Sequence, residues 1–181
     1  MTPEMKTNME LLKGKHIELR PMEIDDLDFI YHWENDPGNW SVGYTLNPLS
    51  RFHLEQYILG SANDIYADRQ LRLIIARPGV APLGIIDLFD FDPHHRRAAV
   101  GVFVAGEFRG EGYAAEALVI LLAYAQRVLG LKQLYCGIGS ANLQSLSLFE
   151  KQGFKITGTR KAWRWQNGNW EDEYFLQHLF F

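Results

Sequence analysis

By type and spacing, the residues best suited to chemistry are Arg109-Gly110-Glu111-Gly112-Tyr113-Ala114-Ala115. Glycine lets a backbone approach a ligand closely, because no Cβ stands in the way. An apolar run, Val100 to Val104, precedes this turn, and a long apolar segment follows it. The first amides of a helix lack internal partners, and the helix dipole adds partial positive charge there. Strand, glycine turn and helix N-terminus together make a cradle for a diphosphate. A P-loop would need Gly, four residues and then Gly-Lys-Ser/Thr, and that lysine is missing. Gly110 to Ala115 formally fits Gly-x-Gly-x-x-Gly/Ala, but the acidic ribose partner expected about 20 residues further on is not evident.

Composition narrows the classes of function. The chain has 181 residues, 47% of them hydrophobic and 22% charged, as in a soluble globular domain. Lys plus Arg is 18 and Asp plus Glu is 22, so the formal charge is −4, without the basic excess of a nucleic-acid-binding protein. Cys136 is the only cysteine, which excludes an intrachain disulfide or a cysteine zinc site and fits a reducing cytoplasm. No apolar run approaches the length of a membrane span, and no signal-peptide core is seen. Asp92, His94 and His95 share one turn, which is too little to predict a metal.

The elements that must position the cradle follow from periodicity. Residues 1–13 read as a flexible lead-in, and 14–181 as a single domain. His16 to Arg20 alternates as a short strand stopped by Pro21, and a helix spans about Glu23 to Glu34. A second helix runs from about Arg51 to Ser61. Strands follow at Leu71 to Ala76, Pro82 to Phe91 and Arg97 to Val104. The helix from about Glu111 to Val128 carries Leu118, Leu121, Leu122 and Ala125 on one face. Val119, Ile120 and Ala123 make its other faces apolar, so it is expected to be covered on most sides. Gly130 ends it. Leu131 to Ile138 is a strand, and Asn142 caps a shorter helix ending at Gly153. Phe154 to Trp165 and Trp170 to Leu179 form a hairpin across Asn167-Gly168-Asn169. The clustered strands predict an α+β fold with a mixed sheet flanked by helices, rather than a doubly wound parallel one.

Arg109 to Ala114 resembles the Arg/Gln-x-x-Gly-x-Gly/Ala signature of the GNAT superfamily of acetyl-CoA-dependent N-acetyltransferases. Asn142-Leu143-Gln144-Ser145 through Phe149 to Gly153-Phe154 is similar to the GNAT helix that flanks the pantetheine arm. His95-Arg96-Arg97-Ala98 and the tail hairpin look like the spermidine and ribosomal-protein acetyltransferase branches. The resemblance extends from Ile17 to the end. It implies a mostly antiparallel sheet with a V-shaped splay between central strands, and acetyl-CoA as cosubstrate. It also implies that the backbone of Val102, Phe103 and Val104 pairs with pantetheine and offers an amide to the thioester oxygen. Arg109, Gly110, Glu111, Gly112, Tyr113, Ala114, Ala115, Asn142, Ser145 and Phe149 complete the implied cofactor site. Several have plainer readings: Asn142 as a simple N-cap, Glu111 as an exposed residue that suits the helix dipole.

Phe149 departs from the family, where a tyrosine commonly protonates the leaving thiolate; phenylalanine has no proton to give. Departure as thiolate, a water, or a nearby hydroxyl would substitute, and Ser145 matches a serine of the ribosomal-protein branch. Ser147 and Tyr135 are weaker candidates. On the acceptor side the resemblance points to Asp87 and Asp90, with Glu34 as a further carboxylate. Asp87 and Asp90 are three apart and face opposite sides of a regular strand unless a bulge intervenes. Trp33, Trp40, Tyr44 and Phe52 fall in the region that covers the acceptor. The implied reaction is direct transfer of acetyl to a primary amine of a polyamine, diamine or small molecule. N-terminal acetylation of a protein such as a ribosomal protein is the alternative, and a non-catalytic acyl-CoA sensor a second. Exposed Leu179-Phe180-Phe181 hints at a covered surface and leaves a homo-oligomer open.

Overall fold

A computed structural model describes residues 10–39, 47–61, 64–166 and 168–181. Seven strands make one sheet: β1 (Glu18–Pro21), β2 (Leu71–Ala76), β3 (Gly84–Asp92), β4 (Arg97–Val104), β5 (Gln133–Gly139), β6 (Lys155–Gln166) and β7 (Asn169–Leu179). Their order is β1-β2-β3-β4-β5-β7-β6. Only β4 and β5 pair in parallel. The helices are α1 (Leu27–Asn35), α2 (Arg51–Gly60), α3 (Ile65–Asp68), α4 (Tyr113–Arg127) and α5 (Leu143–Lys151).

Alternation along the strands divides two cores between the faces of the sheet. Leu73, Ile75, Ile86, Leu88, Val100, Leu134 and Cys136 join Leu118, Leu121 and Ala125 of α4 on one face. Ile74, Ala76 and Ile85 meet Ile30 of α1 and Leu54 and Ile58 of α2 on the other.

The feature that makes a site lies between β4 and β5. Their pairing covers only Arg97↔Gln133, Ala98↔Leu134 and Ala99↔Tyr135. Beyond it β5 follows β7 as far as Gly139↔Glu173, while β4 stays with β3 as far as Gly84↔Val104. Each strand keeps its outer partner, so the two diverge. The mixed, mostly antiparallel sheet and its V-shaped splay are as the sequence implied.

Several local readings need correction. The segment expected as one helix from Glu23 opens with a 3-10 turn, Ile24–Asp26. There the buried Asp26 does more than suit a dipole: it takes two 2.7 Å bonds from Arg20 and accepts from the Glu23 amide. Pro21 pairs within β1, because β1 is an edge strand whose outer contacts, at Glu18 and Leu19, end before it. α4 starts at Tyr113 and leaves Val119 exposed, so it is less covered than its composition suggested. α3 and the 3-10 turn Gly106–Phe108 are too short to carry a period and were not foreseen. Of the expected lead-in, residues 1–9 lie outside the described residues; Leu12 packs on the core and its carbonyl accepts from the Leu19 amide at 2.8 Å. At the other end Phe180 turns inward, and only Leu179 and Phe181 stay exposed.

Candidate active site

A cleft of about 540 Å³ opens where β4 leaves β5, walled by the end of β4, the glycine turn, the start of α4 and one face of α5. Gly110 and Gly112 have φ of +87° and +85°, in the left-handed region that disfavours side chains. A Cβ at either position would meet no protein atom within 4 Å, so the turn presents a bare backbone to open space. Gly112 is the N-cap of α4 and offers no side-chain acceptor. The amides of Tyr113, Ala114 and Ala115, all on the cleft, are left without intrahelical partners. α5 is the opposite case. Its N-cap Asn142 accepts from the Ser145 amide at 3.1 Å, so its first turn is satisfied internally.

The expected site residues separate on this geometry. Val102, Phe103, Val104, Arg109, Gly110, Gly112, Tyr113, Ala114, Ala115, Asn142 and Ser145 line the cleft together. Glu111 is exposed and does not line it. Arg109 acts inward: its Nε donates to the Val104 carbonyl at 2.9 Å and its Nη2 to Asn39 Oδ1 at 3.4 Å. The guanidinium carbon stands 5.8 Å from the centre of the Phe103 ring. It therefore fixes the end of β4, which β5 has left, against the turn. Phe149 is buried in the core, edge-on to Phe154 at 5.0 Å, and does not line the cleft.

Across the sheet, Asp87 and Glu34 converge on one guanidinium. Arg72 Nε lies 2.8 Å from Asp87 Oδ1, and Nη1 lies 3.1 Å from Glu34 Oε1. Burial raises the Asp87 carboxyl and Arg72 opposes that rise. Burial works against the Arg72 charge too, yet Asp87 outweighs it and the guanidinium stays raised. Asp90 is exposed, with φ +49°, in a β-bulge between Phe89 and Asp92. The three carboxylates therefore do not form one group. Trp33 stands 5.5 Å from Phe103, ring centre to ring centre; Phe52 is exposed, and Trp40 and Tyr44 lie outside the described residues.

Residues 16–155 match the family model of the acetyltransferase (GNAT) domain. The chain belongs to this family. It is an acetyl-CoA-dependent N-acetyltransferase, and the uncapped start of α4 beside a side-chain-free turn suits the diphosphate of that cosubstrate. Among curated relatives, the spermidine N(1)-acetyltransferase of Escherichia coli is 24% identical over 146 residues, 78% of this chain and 74% of that one. A putative ribosomal N-acetyltransferase of Bacillus subtilis is 26% identical over 164 residues, 88% of each chain. The solved spermidine N-acetyltransferase of Vibrio cholerae, in complex with CoA and spermine, has a TM-score of 0.82 at 24% identity, covering 92% of this chain and 96% of that one. It shows the shared fold.

The GNAT cleft also contains residues that sequence reasoning missed. Gln144, Leu148 and Lys151 line it together with Ser145. Helical spacing from Asn142 could have found them, since residues four and seven beyond Gln144 return to its face. Gly38 and Asn39 belong to the cleft wall but carry no local signal, because only the fold brings them to Arg109.

Proposed function

We infer that this N-acetyltransferase transfers the acetyl group to a primary amine of a polyamine or diamine. The observation that carries the reading is the cluster of Glu34, Arg72 and Asp87, two carboxylates against one guanidinium, on the face across the sheet from α4. An excess negative charge there favours a cationic acceptor, and Trp33 and Phe103 add aromatic faces to it. The similarity to spermidine acetyltransferases supports the same class.

An amine with a pKa near about 10 is mostly protonated at pH 7 and must lose that proton before it attacks. The chain's contribution is positional. Arg109 braces Val104, the splayed strand presents backbone amides where thioester charge develops, and the α4 amides hold the phosphates. Ser145 and Ser147 both line the cleft and Phe149 does not, and Ser145 is the hydroxyl we assign to meet a departing thiolate. That feature favours the second reading, acetylation of a protein N-terminus, since the ribosomal-protein branch has a serine there.

The deciding experiment follows CoA release from acetyl-CoA with spermidine, spermine, diamines and short peptides bearing free N-termini. Turnover on polyamines and diamines is expected. Turnover confined to peptides would overturn the reading in favour of the second, and acetyl-CoA binding with silence on every amine would make the chain a sensor.

A further inference from the structure

On the α1–α2 face the splay begins at a bare notch. The last paired residues of β4 and β5 are Ala99 and Tyr135, and two residues on, facing the same way, stand Gly101 and Gly137. No side chain from either strand closes the start of the gap, and Gly137 is exposed. The walls come from neighbouring strands. Phe89 lies 3.6 Å from where a Gly101 Cβ would be. The Glu173 carboxylate lies 2.7 Å from where a Gly137 Cβ would be.

Glu173 is 1% exposed and sits in β7 opposite Arg160 of β6, whose Nη1 meets its Oε1 at 2.7 Å. Arg160 is 43% exposed, and its guanidinium carbon is 5.1 Å from the centre of the Trp163 ring and 5.3 Å from that of Phe175. Its strand bulges just beyond, between Arg160 and Arg164, with Ala162 at φ +45°. Bulges of this kind re-aim side chains. A buried carboxylate at the head of the splay is thus paired with a partly exposed cation that also rests on aromatic surfaces.

The geometry points to Glu173 as a binding carboxylate for the acceptor, exchanging the Arg160 guanidinium for the acceptor's ammonium. This rests on amine acetylation at the same site and adds the residue that receives the amine. The incoming ammonium enters over Gly137 and takes the place of Arg160, which withdraws onto Trp163. No covalent step is involved: one cation replaces another on a carboxylate that would be costly to leave unpaired.

The test compares KM for spermidine, Kd for acetyl-CoA and thermal unfolding in the wild type, Glu173→Gln and Arg160→Gln. Glu173→Gln is expected to raise the amine KM about 10- to 100-fold, as for loss of a charged hydrogen bond, with acetyl-CoA affinity unchanged. Arg160→Gln is expected to lower that KM, because the competing cation is gone. A purely structural ion pair would instead lower the unfolding temperature in both variants and leave both constants alone. An unchanged KM in Glu173→Gln, or a raised one in Arg160→Gln, overturns the exchange while the acceptor reading stands. Silence of the wild type on every amine overturns the acceptor reading and the exchange with it. If Glu173→Gln does not fold, Gly137→Ala gives the same reading, since its Cβ must push the carboxylate aside.

Discussion

The amides of Tyr113, Ala114 and Ala115 face the cleft with no side-chain cap, whereas Asp87 and Glu34 across the sheet are already held by Arg72. One side of the splay is therefore a backbone site, shaped by glycines at positive φ and a helix that lacks a cap. The other is a side-chain site, in which two carboxylates are tied to one guanidinium before any substrate arrives. A backbone site depends on chain path and tolerates changes of side chain that leave the path alone. A side-chain site depends on identity: substituting one partner strands the others in a half-buried position.

The largest effect should come from breaking the side-chain site at its centre. Arg72→Ala removes the cation shared by Asp87 and Glu34 and the 5.5 Å contact of its guanidinium with the Tyr57 ring. Stranding partly buried carboxylates puts the cost at the low end for broken buried pairs, about 3 kcal/mol, which for a chain of this length lowers the unfolding midpoint by about 6–12 °C. Differential scanning calorimetry measures that shift, and acetyl-CoA affinity of the folded variant should stay as it was. A variant that lost acetyl-CoA affinity in proportion to its stability would show that the two sides are not built independently.

The backbone site should break in the opposite way. Gly112→Val forces a branched side chain to φ +85° and puts it where the cleft is open. Acetyl-CoA affinity is expected to fall about 30-fold, about 2 kcal/mol, from the side chain obstructing the close approach of the ligand. Gly79→Val makes the control, since Gly79 also has positive φ (+74°) and open space around it but lies in the β2–β3 turn away from the cleft. Titration calorimetry should find weakened binding in the first variant only. Equal affinities in both would mean that the α4 turn does not receive the diphosphate.

The same contrast explains what the sequence let us read. Arg109 to Ala115 and Asn142 to Phe154 are local, so spacing marks the turn and the two helices, and the GNAT resemblance of those two stretches marks most of the cleft wall. The central strands were legible as apolar runs, because β2 and β3 put residues into both cores and β4 and β5 line the α4 core. Partners distant in sequence were illegible. Nothing near Asp87 announces that Arg72 claims it, and nothing near Gly137 announces Glu173. Phe149 misled for a related reason. Its position in the motif is that of a cleft residue, but without a hydroxyl its ring gains more from packing on Phe154. Asp90 and Asp87 could not be placed on faces from their spacing, because the bulge after Phe89 breaks the count.

The smallest effect tests whether the packing beneath α5, the other wall of the cleft, responds to pH near neutrality. His178 of β7 lies under the end of α5, its ring 3.2 Å from where a Gly153 Cβ would be and between Phe154 and Phe180. Its Nδ1 is buried without a well-formed hydrogen bond among the described residues. Burial lowers its affinity for protons, partly offset by the backbone of Gln152 and Gly153. The sign follows directly. Above the ordinary histidine value of about 6.5 the ring is neutral whether the chain is folded or not, and the full contribution to stability is present. As pH falls below that value the unfolded chain takes up a proton that the folded one resists, so stability declines until the depressed folded value is passed. One proton sets a ceiling of about 1.4 kcal/mol per pH unit on that slope. Asp92, Glu116 and Asp172 are all lowered from ordinary carboxylate values and titrate at more acidic pH, and Asp87, raised by burial, adds stability rather than removing it as pH falls, so a decline just below neutrality is assigned to His178. Urea unfolding between pH 7 and pH 5 should therefore show a decline that His178→Phe flattens. An identical decline in that variant would place its source elsewhere and leave the packing under α5 indifferent to pH.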